Sequence, residues 1–93
     1  MSVTIKLDRK LDFRCIPQMT EALEAALGSD VILDASDVSQ IGTQAVQLLL
    51  SAVHSSDLMK CQMLVSDAGP QLREQLLLLG VSLDGTGRLE VAA

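Results

Sequence analysis

The spacing of apolar residues changes repeatedly along this chain, and that alternation constrains the fold more than any other feature. Val3, Ile5 and Leu7 alternate with Thr4, Lys6 and Asp8, the period of a half-buried strand, which is expected to continue or fold back through Lys10 and Leu11. After Asp12 the spacing becomes helical. Ile16, Met19, Leu23, Ala26 and Leu27 share one face, Pro17 suits a first-turn position, and Gly28 stands where a helix stops. Gln18, Glu21 and Glu24 fall on the opposite, solvated face.

Val31, Ile32 and Leu33 then form a continuous apolar run that ends at Asp34, which predicts an interior strand covered on both faces. A second helix is expected from Thr43 to about Ser55, with Ala45, Val46, Leu48, Leu49, Ala52 and Val53 lying flat on a sheet. Thr43, Gln47, Ser51 and His54 run along its other side, toward solvent or a partner. Cys61, Met63 and Val65 predict another strand, and Pro70 opens a third helix that turns Leu72, Leu76 and Leu79 inward and ends at Gly80. Four consecutive leucines on that helix force Leu77 or Leu78 to the rim, where an exposed patch would serve as a contact. Asp84-Gly85 and Gly87 form a turn before a short strand containing Leu89 and Val91. Strands and helices in alternation predict an α/β domain, with a central mixed β-sheet flanked by α-helices. The predicted core includes Ile5, Leu23, Leu33, Leu49, Val65, Leu72 and Leu76.

At 93 residues the chain has room for one domain, 1–93. Its 48% apolar and 20% charged content suits a packed core. A net charge of -5 repels a phosphate backbone, and Phe13 as the one aromatic residue leaves no platform for stacking bases or flat cofactors. Nucleic acid is therefore not an expected partner. With no basic, apolar leader and no apolar run near the ~18 residues of a membrane span, the expectation is a cytoplasmic protein without membrane insertion. Cys15 and Cys61 lack ligand spacing and read as two reduced core thiols.

The residues offer little for catalysis. His54 is the sole histidine, so Ser-His triads and zinc sites have nothing to build with, and it reads as a surface residue. Gly85-Thr86-Gly87 has neither the third glycine of a dinucleotide loop nor the Lys-Ser/Thr pair of a P-loop, and reads as a hairpin-like turn. The acidic pairs Asp34 with Asp37 and Asp67 with Glu74 suit solvated loops and helix starts. No enzyme activity, cofactor or metal is expected.

The stretch from Leu33 to Val46, LDASDVSQIGTQAV, sets an apolar strand, an acidic turn and an apolar residue before a hydroxyl at a helix start. With Leu11-Asp12 before the first helix and Gly80-Val81 after the third, it resembles the STAS domain family, named for sulfate transporters and anti-sigma factor antagonists. The similarity runs along nearly the whole chain, although the C-terminal end is short after the expected strand at Val91, where many family members add another helix. In anti-sigma factor antagonists the corresponding run reads Asp, two hydroxyl residues and Gly, and a kinase phosphorylates the first hydroxyl. Here Gly42 stands at the Asp position, Thr43 keeps the hydroxyl, Gln44 follows it and Ala45 replaces the Gly. The resemblance makes Thr43 the candidate phospho-acceptor, while helix chemistry alone makes it an ordinary N-cap.

The resemblance implies a regulatory module that binds an anti-sigma or serine kinase-like ATPase through Asp37, Ser39, Gln40, Gly42, Thr43, Gln44 and Gln47. It also accommodates a constitutive adaptor of a lipid-transport ATPase or a chemotaxis complex, which the missing Asp favours, and, least well because the chain has neither a basic phosphate-binding loop nor an aromatic platform, a small-molecule or nucleotide binder. Asp34, Asp37, Asp57 and Asp67, placed on loop ends, predict a partner with a basic face. The sequence specifies no oligomeric state.

Overall fold

A computed structural model describes residues 2–91. The elements follow the expected alternation: β1 (Ser2–Lys6), β2 (Lys10–Leu11), a 3-10 turn (Phe13–Cys15), α1 (Ile16–Ala25), β3 (Asp30–Asp34), β4 (Gln40–Ile41), α2 (Thr43–Leu58), β5 (Met63–Ser66), α3 (Pro70–Leu78), β6 (Val81–Leu83) and β7 (Leu89–Val91). The α/β fold is mixed in strand direction. β1, β3 and β5 pair in parallel in the order β1-β3-β5, β2 and β4 make a short parallel pair, and β6 and β7 are antiparallel. β6 is an element that sequence spacing did not single out.

One face of the parallel sheet is packed and the other is open. Val31, Leu33 and Met63 point to the packed face and join Met19 and Leu23 of α1, Val46, Leu49 and Val53 of α2, and Leu72 and Leu76 of α3 in one core. The open face carries the row Thr4, Ile32, Leu64, which the registers of both ladders align. Ile32 is 37% exposed there, so β3 is interior to the sheet but covered on one face only. The apolar run hid this because three consecutive apolar residues carry no alternation. Of the predicted core, Leu23, Leu33, Leu49, Leu72 and Leu76 are buried, whereas Ile5 and Val65 are only half-buried because their strands flank β3.

Helix limits follow local chemistry. α1 ends before Gly28, which takes φ 91°, and α3 before Gly80, which takes φ 84°, a region where glycine has no Cβ penalty. Leu77 and Leu78 are exposed as expected, but Leu79 is turned outward rather than inward because it follows the last helical residue of α3. Cys15 is buried, and burial pushes its thiol pKa up. Cys61 instead lies ahead of β5 and is half-buried, so it is not a core thiol.

The Gly85-Thr86-Gly87 stretch is a turn, as its composition suggested. Asp84 Oδ1 accepts the Thr86 amide at 2.8 Å and the Arg88 amide at 3.0 Å. The turn also supports the sheet, since the Val65 amide donates to the Gly87 carbonyl at 2.7 Å. Gly87 has φ 95°, and a Cβ there would collide with the Val65 carbonyl, so the position requires glycine for both conformation and space.

Candidate functional site at the start of the second helix

The segment between β3 and α2 is held by a series of hydrogen bonds from three directions. At its start, the Ser36 amide donates to Asp34 Oδ1 at 3.0 Å, a local turn that holds the Asp34 carboxyl below its usual pKa. Asp37 is exposed and pairs with Lys6 at 3.2 Å; hydrogen bonding to Asp37 raises the Lys6 pKa. The Arg9 carbonyl then accepts the Ser39 amide at 2.8 Å, the Ser39 hydroxyl at 3.1 Å and the Gln40 amide at 3.3 Å. Gly42 donates its amide to the Leu11 carbonyl at 2.9 Å. The β2-β4 pair, with Lys10 opposite Gln40 and Leu11 opposite Ile41, thus continues into the helix start.

The third direction is α3, and sequence reading missed it. Gln75 accepts the Ile41 amide on Oε1 at 3.0 Å and donates Nε2 to the Ser39 carbonyl at 2.8 Å. One side-chain amide thereby satisfies a donor of β4 and an acceptor of the residue just before it, as a neighbouring strand would. The available signal was a glutamine on the inward side of an apolar helix, three residues after Leu72 and beside Leu76. Its partners, 34 and 36 residues away, could not be named from spacing.

Gly42, not Thr43, is the N-cap of α2. Gly42 has φ -105° and ψ 170°, its carbonyl accepts the Val46 amide at 3.1 Å, and no side chain caps the helix. Thr43 is the first helical residue, which corrects the capping role expected for its hydroxyl. A Cβ at Gly42 would make only ordinary contact with the Leu11 carbonyl; glycine is not required there. Thr43, Gln44 and Gln47 are exposed together with Gln40 and Asp37, while Ser39 and Gly42 are half-buried in the hydrogen-bonded base. Ser51 and His54 extend the exposed stripe, as the helical spacing predicted.

The electrostatics differ from the acidic face expected of Asp34, Asp37, Asp57 and Asp67 on loop ends. Asp57 lies in the last turn of α2, at the opposite end of that helix from Thr43, and binds Arg88, with Nη1 to Oδ1 at 2.9 Å. This pairing holds the Asp57 pKa down. Asp37 is neutralised by Lys6, and exposed Arg9 and Lys10 lie on the strand side of the segment. The surface around Thr43 is therefore mixed in sign, so a complementary partner face has to offer both charges there.

A model of the STAS domain matches residues 2–90. The chain belongs to the STAS domain family. That family is associated with anti-sigma factor antagonists and transporters, and its domains are generally non-catalytic interaction modules. No curated protein and no solved structure matched in the same comparisons. The STAS chain has no helix, among its described residues, long and apolar enough to cross a membrane.

Proposed function

We propose that this STAS domain is a non-enzymatic, cytoplasmic regulatory module that binds a protein partner through Asp37, Ser39, Gln40, Gly42, Thr43, Gln44 and Gln47, and that phosphorylation of Thr43 switches the contact. The observation that carries the proposal is the exposure of Thr43 at the first position of a helix whose N-terminus has no side-chain cap. A phosphate there meets unpaired amides and the positive end of the helix dipole, so the modified helix remains folded. About two added negative charges beside Asp37 would change which partner surface the segment accepts. The partner class favoured by the family is an anti-sigma or serine kinase-like ATPase.

Gly42 supports a second reading. Without an acidic residue next to the hydroxyl, the same surface suits a constitutive adaptor for a transport or chemotaxis ATPase, which needs no modification. Affinity capture from the native cell with wild type, Thr43→Val and Thr43→Glu distinguishes the readings. Switching predicts that Thr43→Glu loses a partner that Thr43→Val retains, with phosphothreonine detected at position 43 by mass spectrometry. An adaptor predicts capture by wild type and Thr43→Val, weakened capture by Thr43→Glu and no phosphate in any growth condition. Identical capture by all three proteins, each melting as wild type, removes the segment from the interface.

A further inference from the structure

α1 and α2 each return from the end of one parallel strand to the start of the next, so they lie side by side in the same direction and finish at the same end of the sheet. Between their C-terminal halves is an open groove of about 290 Å³. Leu23 and Leu27 line it from α1 and the turn that follows, Leu48 and Ala52 line it from α2, and Met63 of β5 contributes from the sheet. The space exists because α2 faces it with Ser51, Ala52 and Ser55, three small side chains that leave the volume between the helices unfilled. Leu27 is 51% exposed where the helices finish. Met59 stands beside it, since a Cβ on Gly28 would lie 3.4 Å from Met59 Cε.

The polar lining consists of Thr20, Glu24, Ser51 and Ser55. Neither helix carries a lysine or an arginine. Glu24, and Glu21 one turn before it, are exposed and make no ion pair among the described residues. Both helices end without a basic residue in the last turn, so the negative ends of two helix dipoles point to the same end of the groove. Arg88 is occupied by Asp57, and exposed Lys60, just past Met59, lies outside the lining. The groove is apolar inside and negative at its edge.

We propose that this groove is an interaction surface distinct from the Thr43 segment, and that its occupant is an amphipathic helix of another protein, with aliphatic anchors flanked by lysine or arginine. The lining runs along α2 from Leu48 to Ser55, about 10 Å, the reach of anchors at positions i, i+4 and i+7 of a helix laid along it. The anchors enter the space that the small side chains leave, and the flanking cations meet Glu24 and the helix ends, which fixes orientation. An acidic helix or the anionic head of an acyl chain meets the same negative edge and is disfavoured. The inference stands on α1 and the C-terminal half of α2, independent of any modification at Thr43.

Two helical peptides of about 15 residues, both with leucine at i, i+4 and i+7 and with either lysine or glutamate beside the leucines, test this by NMR titration of the full chain. The lysine peptide is expected to bind with Kd below about 1 mM, to shift amides at Leu23, Leu27, Leu48 and Ala52 but not at Thr43, and to weaken as salt rises. The glutamate peptide binds at least about tenfold more weakly. Leu27→Ser lowers affinity for the lysine peptide by about tenfold or more at unchanged Tm. If Leu27→Ser melts lower, Glu24→Lys on the exposed rim decides, because it removes the preference for lysine over glutamate. No binding of the lysine peptide at about 1 mM, equal binding of the two peptides, shifts centred on Thr43, or wild-type behaviour of both folded variants overturns the proposal. Decanoate filling the groove more tightly than the lysine peptide also overturns it, in favour of a lipid.

Discussion

Gly42 and Gly69 start α2 and α3 with nearly the same backbone, φ -105° and ψ 170° at the first and φ -75° and ψ 170° at the second, and neither helix has a side-chain cap. The Val46 amide returns to Gly42 and the Arg73 amide to Gly69, both at 3.1 Å. The next residue separates them. Pro70 has no amide hydrogen and cannot be modified at a hydroxyl, so α3 begins with one orphan donor fewer. Thr43 keeps both an amide and an exposed hydroxyl. Support differs as well: the chain entering α3 is held within its own neighbourhood, by Arg73 Nε on the Ala68 carbonyl at 3.2 Å. The chain entering α2 is held by Gln75 from another helix. Similar backbone geometry therefore makes a closed helix start in one place and an open, remotely braced one in the other.

The largest test of the comparison concerns the anchoring common to both helices. Leu49 and Leu76 are each 2% exposed, and replacing either by Ala should cost about 2–5 kcal/mol because a cavity opens beneath its helix. Chemical denaturation measures both. A cost below about 1 kcal/mol for one of them would mean that the two helices are not equally seated, and that the contrast at their starts reflects anchoring rather than chemistry.

A smaller effect isolates the remote brace. Gln75→Leu keeps an apolar volume on α3 but leaves the Ile41 amide and Ser39 carbonyl without their partner, at a cost of about 1–3 kcal/mol. Hydrogen exchange should speed up at Ile41 while the Arg73 amide at the start of α3 retains its protection. Equal loss of protection at both positions would show that Gln75 stabilises α3 generally instead of bracing β4.

The smallest effect comes from making α2 begin as α3 does. Thr43→Pro should change stability by no more than about 0.5 kcal/mol, since proline suits the first helical position and Gly42 already has the extended backbone that precedes proline. Melting temperature checks the stability, and partner capture tests the surface. A strongly destabilised Thr43→Pro would reveal that the Thr43 amide has a structural role absent at Pro70.

The local grammar of the chain was enough for much of the fold. Alternation marked β1, helical spacing sorted the buried Ala45, Val46, Leu49 and Val53 from the exposed Thr43, Gln47, Ser51 and His54, and Gly28 and Gly80 marked helix ends. Each of these depends on interactions within a few residues, or on the simple demand that one face be apolar. The run LDASDVSQIGTQAV likewise carried the family resemblance that the domain match then bore out. Tertiary structure decided the rest. It set Ile32 on an uncovered face, moved the cap from Thr43 to Gly42, paired Asp57 with Arg88 across 31 residues, and brought Gln75 onto Ser39 and Ile41. These features rest on which distant segments meet and on the hydrogen-bond geometry when they do, and neither is encoded in the spacing of neighbouring side chains.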